Sequence, residues 1–318
     1  MSMTQYRSFL CNRHVSYYKR QLLLWKTMKL NKSTKSGVPQ NPVELCMNMV
    51  RKTDFENYLC TLLYPKSIRT SAFGLRAFNA EIAQVKDLTT DPRIGEIRLK
   101  YWQDVVNEIY QGKLPHLPVG QELARAVQKH NLSKHWLLRL IDARFTSLKE
   151  NPFTSIKNME DYAEKTASSM HYLLLECLGI KSVHADHVSS HIGKAYGIIT
   201  QLRGVPYHAS KRKIYLPLDV LIKHQVSEEA IVRGRDDQKV KDVIYDIACA
   251  AHQHLKLARD LKQHITKEML PVFLSTVICE EYLNKLQKVD FHVFHPHLQR
   301  RDNLLPVKLW LQTKRAKY

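Results

Sequence analysis

Two pairs of aspartates stand at a D-x-x-x-D spacing, Asp87 with Asp91 and Asp242 with Asp246. Four residues along a helix advance about 400°, so such carboxylates share a face and could hold a divalent cation. Neither pair has the setting for that chemistry. With Val240 as origin and about 100° per residue, Ile244, Ile247 and Ala251 stay within about 40° of it, while Asp242 and Asp246 fall at about 200° and 240°. They read as an exposed charged face. Asp91 precedes Pro92 and reads as a cap or turn at the start of a helix. His292, His295 and His297, or His252 with His254, invite a zinc reading, but no acid or cysteine accompanies them at a ligand spacing, and 16 histidines make close pairs common. The six cysteines, Cys11, Cys46, Cys60, Cys177, Cys249 and Cys279, include no CxxC pair and read as reduced, mostly buried thiols. The 10 glycines are dispersed, so no phosphate-cradling loop is present, and no nucleophile sits in an elbow motif. These residues assign no metal and no cofactor.

The elements that would position any site are helical nearly throughout. Val188, Ile192, Ala195, Ile199 and Leu202 form one apolar stripe at alternating spacings of four and three. Ala163, Ala167, Met170, Leu174 and Cys177 repeat it, closed by Gly179 as the residue after the helix. A third stripe runs Val240, Ile244, Ile247, Ala251, Leu255, Ala258. Further helices are expected over 44–63, 67–86, 93–111, 120–130, 133–149, 217–224, 227–233 and 267–288, with breaks at Pro65, Pro92, Pro115, Pro118, Pro152 and Pro206. No alternating strand pattern and no internal repeat stands out. The fold class is all-α, a bundle of eight or more helices whose function would sit in a central cavity.

Length and charge narrow the class. With 318 residues and 44% hydrophobic content, one large core is expected behind a short leader. The 49 Lys and Arg against 30 Asp and Glu give a formal charge of +19, which points to an anionic neighbour, lipid or nucleic acid. Residues 1–43 carry eight of those cations and no acid, with apolar Leu22, Leu23, Leu24 and Trp25, as in a mitochondrial presequence or a basic disordered segment. Lys26 and Lys29 cut the apolar run too short for a secretory signal. No segment approaches the roughly 18 apolar residues of a spanning helix, so membrane contact is expected to be peripheral.

Four stretches occur in a specific order: YPKSIRTSAFGLRAFNAEIAQV (64–85), RIGEIRLKYWQDVV (93–106), YAEKTASSMHYLLLECLG (162–179) and GKAYGIITQLRGVPYHASKRKIYLPLDVL (193–221). Together they resemble the squalene/phytoene synthase family over residues 44–318, and the resemblance implies an isoprenoid-synthase helical bundle with a central cavity. Members join prenyl diphosphates there, using two aspartate-rich motifs to hold Mg²⁺ against the diphosphate. Both motifs are degenerate. The first, D-D-x-x-D in the family, reads Ala83, Gln84, Val85, Lys86, Asp87, and Lys86 would repel the cation. The second should follow Leu202 and Arg203 as D-x-x-E-D; the chain has Gly204, Val205, Pro206, Tyr207, His208, and no Asp or Glu lies between Asp186 and Asp219, whatever the register. Basic and polar residues matching the family's substrate segments survive at Arg69, Arg76, Tyr162, Gln201, Arg203 and Lys213. They could bind an anion without metal, or form internal salt bridges and caps.

The basic leader, with AFNAEIAQVKD, KYWQDVV, HADHVSSHIGKAYGI and YDIACAAHQHLKLAR, resembles a non-catalytic mitochondrial branch of that family concerned with complex I assembly. That resemblance implies a pseudoenzyme, peripheral on the matrix side of the inner membrane, that meets complex I assembly intermediates or a mitochondrially encoded membrane-arm subunit early in biogenesis. Its excess cations would meet anionic lipid. Two alternatives stay open: a prenyl-diphosphate-utilising transferase with an altered metal site, and an organellar RNA-binding protein, although no nucleic-acid motif is present.

Overall fold

In the computed structural model, residues 41–89, 91–149, 153–234 and 236–315 are described; the basic leader up to residue 40, with Cys11, lies outside them. In chain order the helices are α1 (Pro42–Thr53), α2 (Phe55–Leu62), α3 (Lys66–Ala83), α4 (Val85–Leu88), α5 (Pro92–Ile109), α6 (Pro118–His130), α7 (Lys134–Lys149) and α8 (Ile156–Ala163). A π-helical segment, Glu164–Ser168, joins α8 to α9 (Ser169–Cys177). There follow α10 (Val183–Ser210), α11 (Leu218–Lys223), α12 (Glu228–Val232), α13 (Gln238–Asp260), a 3₁₀ turn Leu270–Leu274, α14 (Ser275–Lys288), α15 (Pro296–Gln299) and α16 (Leu305–Arg315). No strand occurs among the described residues.

The expected stripes are core. Val188, Ile192, Ala195, Ile199 and Leu202 are all at most 1% exposed, as are Ile244, Ile247 and Ala251 on the facing α13. At 28 residues α10 is about 42 Å long. Its first half, with Val188 and Ile192, packs into the cluster built on α1, α3, α5 and α6, and its second half, with Ile198 to Val205, into the cluster built on α13 and α14. Each fully buried aliphatic side chain contributes on the order of 2 kcal/mol, so α10 ties both cores together. Local chemistry sets the helix ends. Asp91 accepts from the Arg93 amide and caps α5, with Pro92 at its first position, and Gly179 follows α9 at φ +73°, as expected.

The structure departs from the periodicity in several places. Pro206 does not break a helix; α10 runs through it to Ser210. The absent N–H costs a hydrogen bond, and burial of Leu202, Val205 and Ala209 on both sides of it outweighs that. The segment 44–63 is two helices, because Asp54 caps α2 by accepting from the Asn57 amide. The segment 267–288 begins as a 3₁₀ turn at Pro271. The stripe from Ala163 to Cys177 is interrupted by the π segment. Here α10 comes very close: a Cβ on Gly193 would lie 2.2 Å from Ser168 Oγ and 2.5 Å from its Cα, and one on Gly197 would lie 2.3 Å from Ala163 Cβ. Asp246 is not an exposed carboxylate; it is half-buried and accepts from Lys223 and His224 at 2.7 Å each. Beyond residue 288, where periodicity predicts no helix, the chain forms α15 and α16.

Candidate functional site

A cavity of about 670 Å³ opens between α3, the π segment, α10 and α14, closed on one side by Leu298–Asp302 and Leu305. A smaller one of about 170 Å³ adjoins it, and Ala83, Arg144, Tyr162 and Gln201 wall both. The close approach at Gly193 and Gly197 seats the π segment, and that segment presents Thr166 and Ala167 to the larger space.

The six degenerate motif positions divide between the two cavities. Ala83, Gln84, Gly204 and Tyr207 line the larger cavity, and Asp87 and His208 the smaller. They bring a methyl, an amide, a phenol, an imidazole and a single carboxylate. Lys86 stands beside Asp87, donates to the Ser147 carbonyl and lies 4.2 Å from the centroid of the Tyr215 ring. Burial, with Lys213 nearby, pushes its ammonium down to about 8. Burial also lowers the His208 pKa, opposed by Asp87, and the His208 ring meets Tyr215 edge-on at 4.7 Å. The acids on the larger cavity's wall are already engaged by neighbouring side chains. Asp54 binds Asn57, Glu56 pairs with Arg203, Glu281 accepts from Lys308, and Asp302 meets Lys308 and Lys285. Mg²⁺ needs about six oxygen ligands in near-octahedral array. This wall does not supply them, and among the described residues no three His, Cys, Asp or Glu gather as a metal site.

The polar residues expected to hold an anion divide. Arg69 spends its guanidinium on the Tyr64 carbonyl, at 2.9 and 3.3 Å, and walls neither cavity. Lys213 is exposed and also walls neither. Arg203 lines the larger cavity but is neutralised by Glu56. Arg76 is different. It is 8% exposed, lines the cavity, donates from Nη2 to the Tyr64 hydroxyl at 2.9 Å, and leaves a buried Nε with no hydrogen-bond partner. Arg144 repeats the pattern, donating to the Tyr162 hydroxyl while its buried Nε is unmatched. Neither Arg144 nor the buried His171, which also lines the cavity, was singled out from the sequence. Arg144 is on α7 and His171 on α9, and no local pattern marks either.

The histidine groups do not assemble into a ligand set. His254 faces His191 at 3.0 Å through one nitrogen and Glu160 at 3.2 Å through the other, and His252 is exposed. His295 Nδ1 accepts from the His297 amide and caps α15, while His292 lies 3.6 Å from Asp236. Of the cysteines, Cys46, Cys60, Cys177 and Cys279 are buried and Cys249 is exposed, all free.

Residues 50–305 match the profile of the squalene/phytoene synthase family. The chain is 50% identical over 273 residues to the human protein named NADH dehydrogenase (ubiquinone) complex I, assembly factor 6, covering 86% of this chain and 82% of that one. The rat counterpart is 49% identical over 282 residues, covering 89% and 84%. The Drosophila melanogaster homolog is 41% identical over 276 residues, covering 83% and 81%. Among solved structures, a dehydrosqualene synthase with bound ligand superposes with a TM-score of 0.76 at 17% identity, covering 86% of this chain and 95% of that one. Squalene synthase HpnC from Alicyclobacillus acidocaldarius does so with a TM-score of 0.70 at 17% identity, covering 79% and 94%.

Proposed function

Because the chain belongs to the squalene/phytoene synthase family and, within it, to the complex I assembly factor 6 proteins, we propose that it is a non-catalytic mitochondrial assembly factor for complex I. It acts early, on intermediates that contain a mitochondrially encoded membrane-arm subunit, and sits peripherally on the matrix side of the inner membrane. One observation carries the non-catalytic part: the two motif positions that should face each other with carboxylates instead present Ala83, Gln84, Gly204 and Tyr207 to the cavity. Ionising a diphosphate requires the leaving group's charge to be neutralised as it develops, and this wall has lost the residues that would hold the metal.

The cavity persists without those acids, and its lining has seven Lys and Arg against four Asp and Glu. Among its cations Arg76 and Arg144 each present a buried Nε without a hydrogen-bond partner, and with Tyr162 and Gln201 they could hold an anionic group there directly. A guanidinium whose buried Nε has no hydrogen-bond partner is a strong potential partner for an oxyanion.

The test complements cells lacking the protein with this chain and measures assembled complex I on native gels. In parallel, purified protein with Mg²⁺ is assayed for pyrophosphate release from farnesyl and geranylgeranyl diphosphate. Restored complex I with no pyrophosphate above the protein-free rate is the expected pair of results. Enzymatic pyrophosphate release would overturn the non-catalytic reading, and failure to restore complex I would overturn the assembly role.

A further inference from the structure

The outer face of α16 carries a surface that the cavity does not use. Leu305 and Leu309 point inward and are at most 3% exposed, and Lys308 reaches inward to Glu281 and Asp302. On the opposite side Val307, Trp310 and Leu311, with Leu304 just before the helix, are 53%, 50%, 38% and 63% exposed. At about 100° per residue these four fall within an arc of about 120°. The other large exposed apolar side chains among the described residues are dispersed: none lies within a helical turn of another. A cluster of this kind marks an interaction site.

Its charge selects the partner. Arg300, Arg301, Lys314 and Arg315 are exposed around the apolar arc, with Lys314 Nζ 5.8 Å from the Trp310 ring and Arg301 over Phe55 at 4.8 Å. Asp302 is the one acid between residues 300 and 315, and Lys285 and Lys308 occupy it. An apolar arc with an indole and a cationic border, on a helix too short to span, fits the headgroup boundary of an anionic bilayer. No helix among the described residues is long and apolar enough to cross a membrane.

We infer that Leu304, Val307, Trp310 and Leu311 seat this protein on an anionic lipid surface, bordered by Arg300, Lys314 and Arg315. This deepens the peripheral-membrane part of the reading above and rests on it. Leu298–Asp302 and Leu305 also wall the cavity, so docking places that wall beside the bilayer.

The test puts a photoreactive side chain into the full chain, Val307→benzoylphenylalanine, with Ile222→benzoylphenylalanine as the control at a still more exposed apolar position. Each is irradiated with phosphatidylcholine vesicles with or without cardiolipin. A lipid adduct at position 307 that requires cardiolipin, weakens with salt and exceeds that at 222 by about tenfold or more is expected. Equal labelling at the two positions, labelling independent of cardiolipin, or a protein adduct alone at 307 in isolated mitochondria would overturn the inference. Vesicle flotation of Trp310→Ser/Leu311→Ser, whose α16 keeps its inward leucines, should fall by a similar factor with unchanged thermal unfolding. Complex I assembly by the unmodified chain is read separately, so loss of lipid docking leaves the assembly reading standing.

Discussion

At Gly204 an added Cβ would meet the His208 ring at 3.1 Å, so the second motif is not a site awaiting two carboxylates. His208 fills part of the space they would need, and Lys86 and Lys213 supply positive charge beside it. Gly204→Asp with His208→Asp is expected to release no pyrophosphate from farnesyl diphosphate, since the first motif still offers Asp87 alone; measurable turnover would contradict this. Arg76 permits a sharper test. Its guanidinium donates to the buried Tyr64 hydroxyl, and Tyr64 and Asp54 offset the cost of its burial, so removing it leaves that hydroxyl unpaired. Arg76→Met is therefore expected to lower unfolding stability by about 1–3 kcal/mol in urea titrations, while also weakening binding of inorganic pyrophosphate measured by calorimetry. A variant that unfolds more easily and binds as before would show that Arg76 serves the fold alone.

Among the elements, the junction of the π segment with α10 is the most demanding. Ser168 backbone atoms lie 2.5 Å from where a Gly193 Cβ would be, and backbone cannot give way as a flexible side chain can. Gly193→Ala is expected to cost about 2–3 kcal/mol, read as a lower urea midpoint, and to displace Thr166 and Ala167 from the cavity wall. An unchanged midpoint would mean that the two helices separate freely. Ile192, one residue earlier and fully buried, tests the stripe itself. Ile192→Asp buries an unpaired charge and should destabilise by several kcal/mol and lower the cellular level of the protein, with complex I falling alongside.

Across the whole molecule, several histidines are folded neutral. His171, within 3.2 Å of Ser275, is pushed down to about 4, chiefly by burial and then by Arg76. His130, His191, His208 and His254 are lowered as well, each chiefly by burial. In the unfolded chain these rings protonate near the ordinary pKa of about 6.5. Between that value and about 4 the unfolded state binds more protons, so stability falls as pH falls. His171 alone accounts for a loss on the order of 3 kcal/mol by pH 4. Urea unfolding at pH 7 and pH 5 should show the decline, and His171→Gln should flatten it; an identical slope in the variant would remove His171 as its source. For the acid-free segment at the chain's start we propose the role of an import address. Deleting residues 1–36 should leave a helical protein that mitochondria no longer import, and undiminished import would count against a presequence.

Periodicity and composition were enough to establish an all-α fold, the buried faces of α10 and α13, the Asp91 cap and the Gly179 terminus, because helices bury one stripe and end on local chemistry. The lost acids of the second motif were equally legible, since an absence over residues 187–218 needs no coordinates. Tertiary structure decided what the surviving cations do. Arg69 and Arg203 looked equivalent to Arg76 in the chain, yet one serves the Tyr64 carbonyl and another meets Glu56, 147 residues away. It also carried α10 through Pro206, inserted the π segment opposite Gly193 and Gly197, and turned α16 so that Val307, Trp310 and Leu311 face outward while Leu305 and Leu309 are buried. Such outcomes depend on which distant groups come within a few ångströms of one another, and helical spacing holds no information about that.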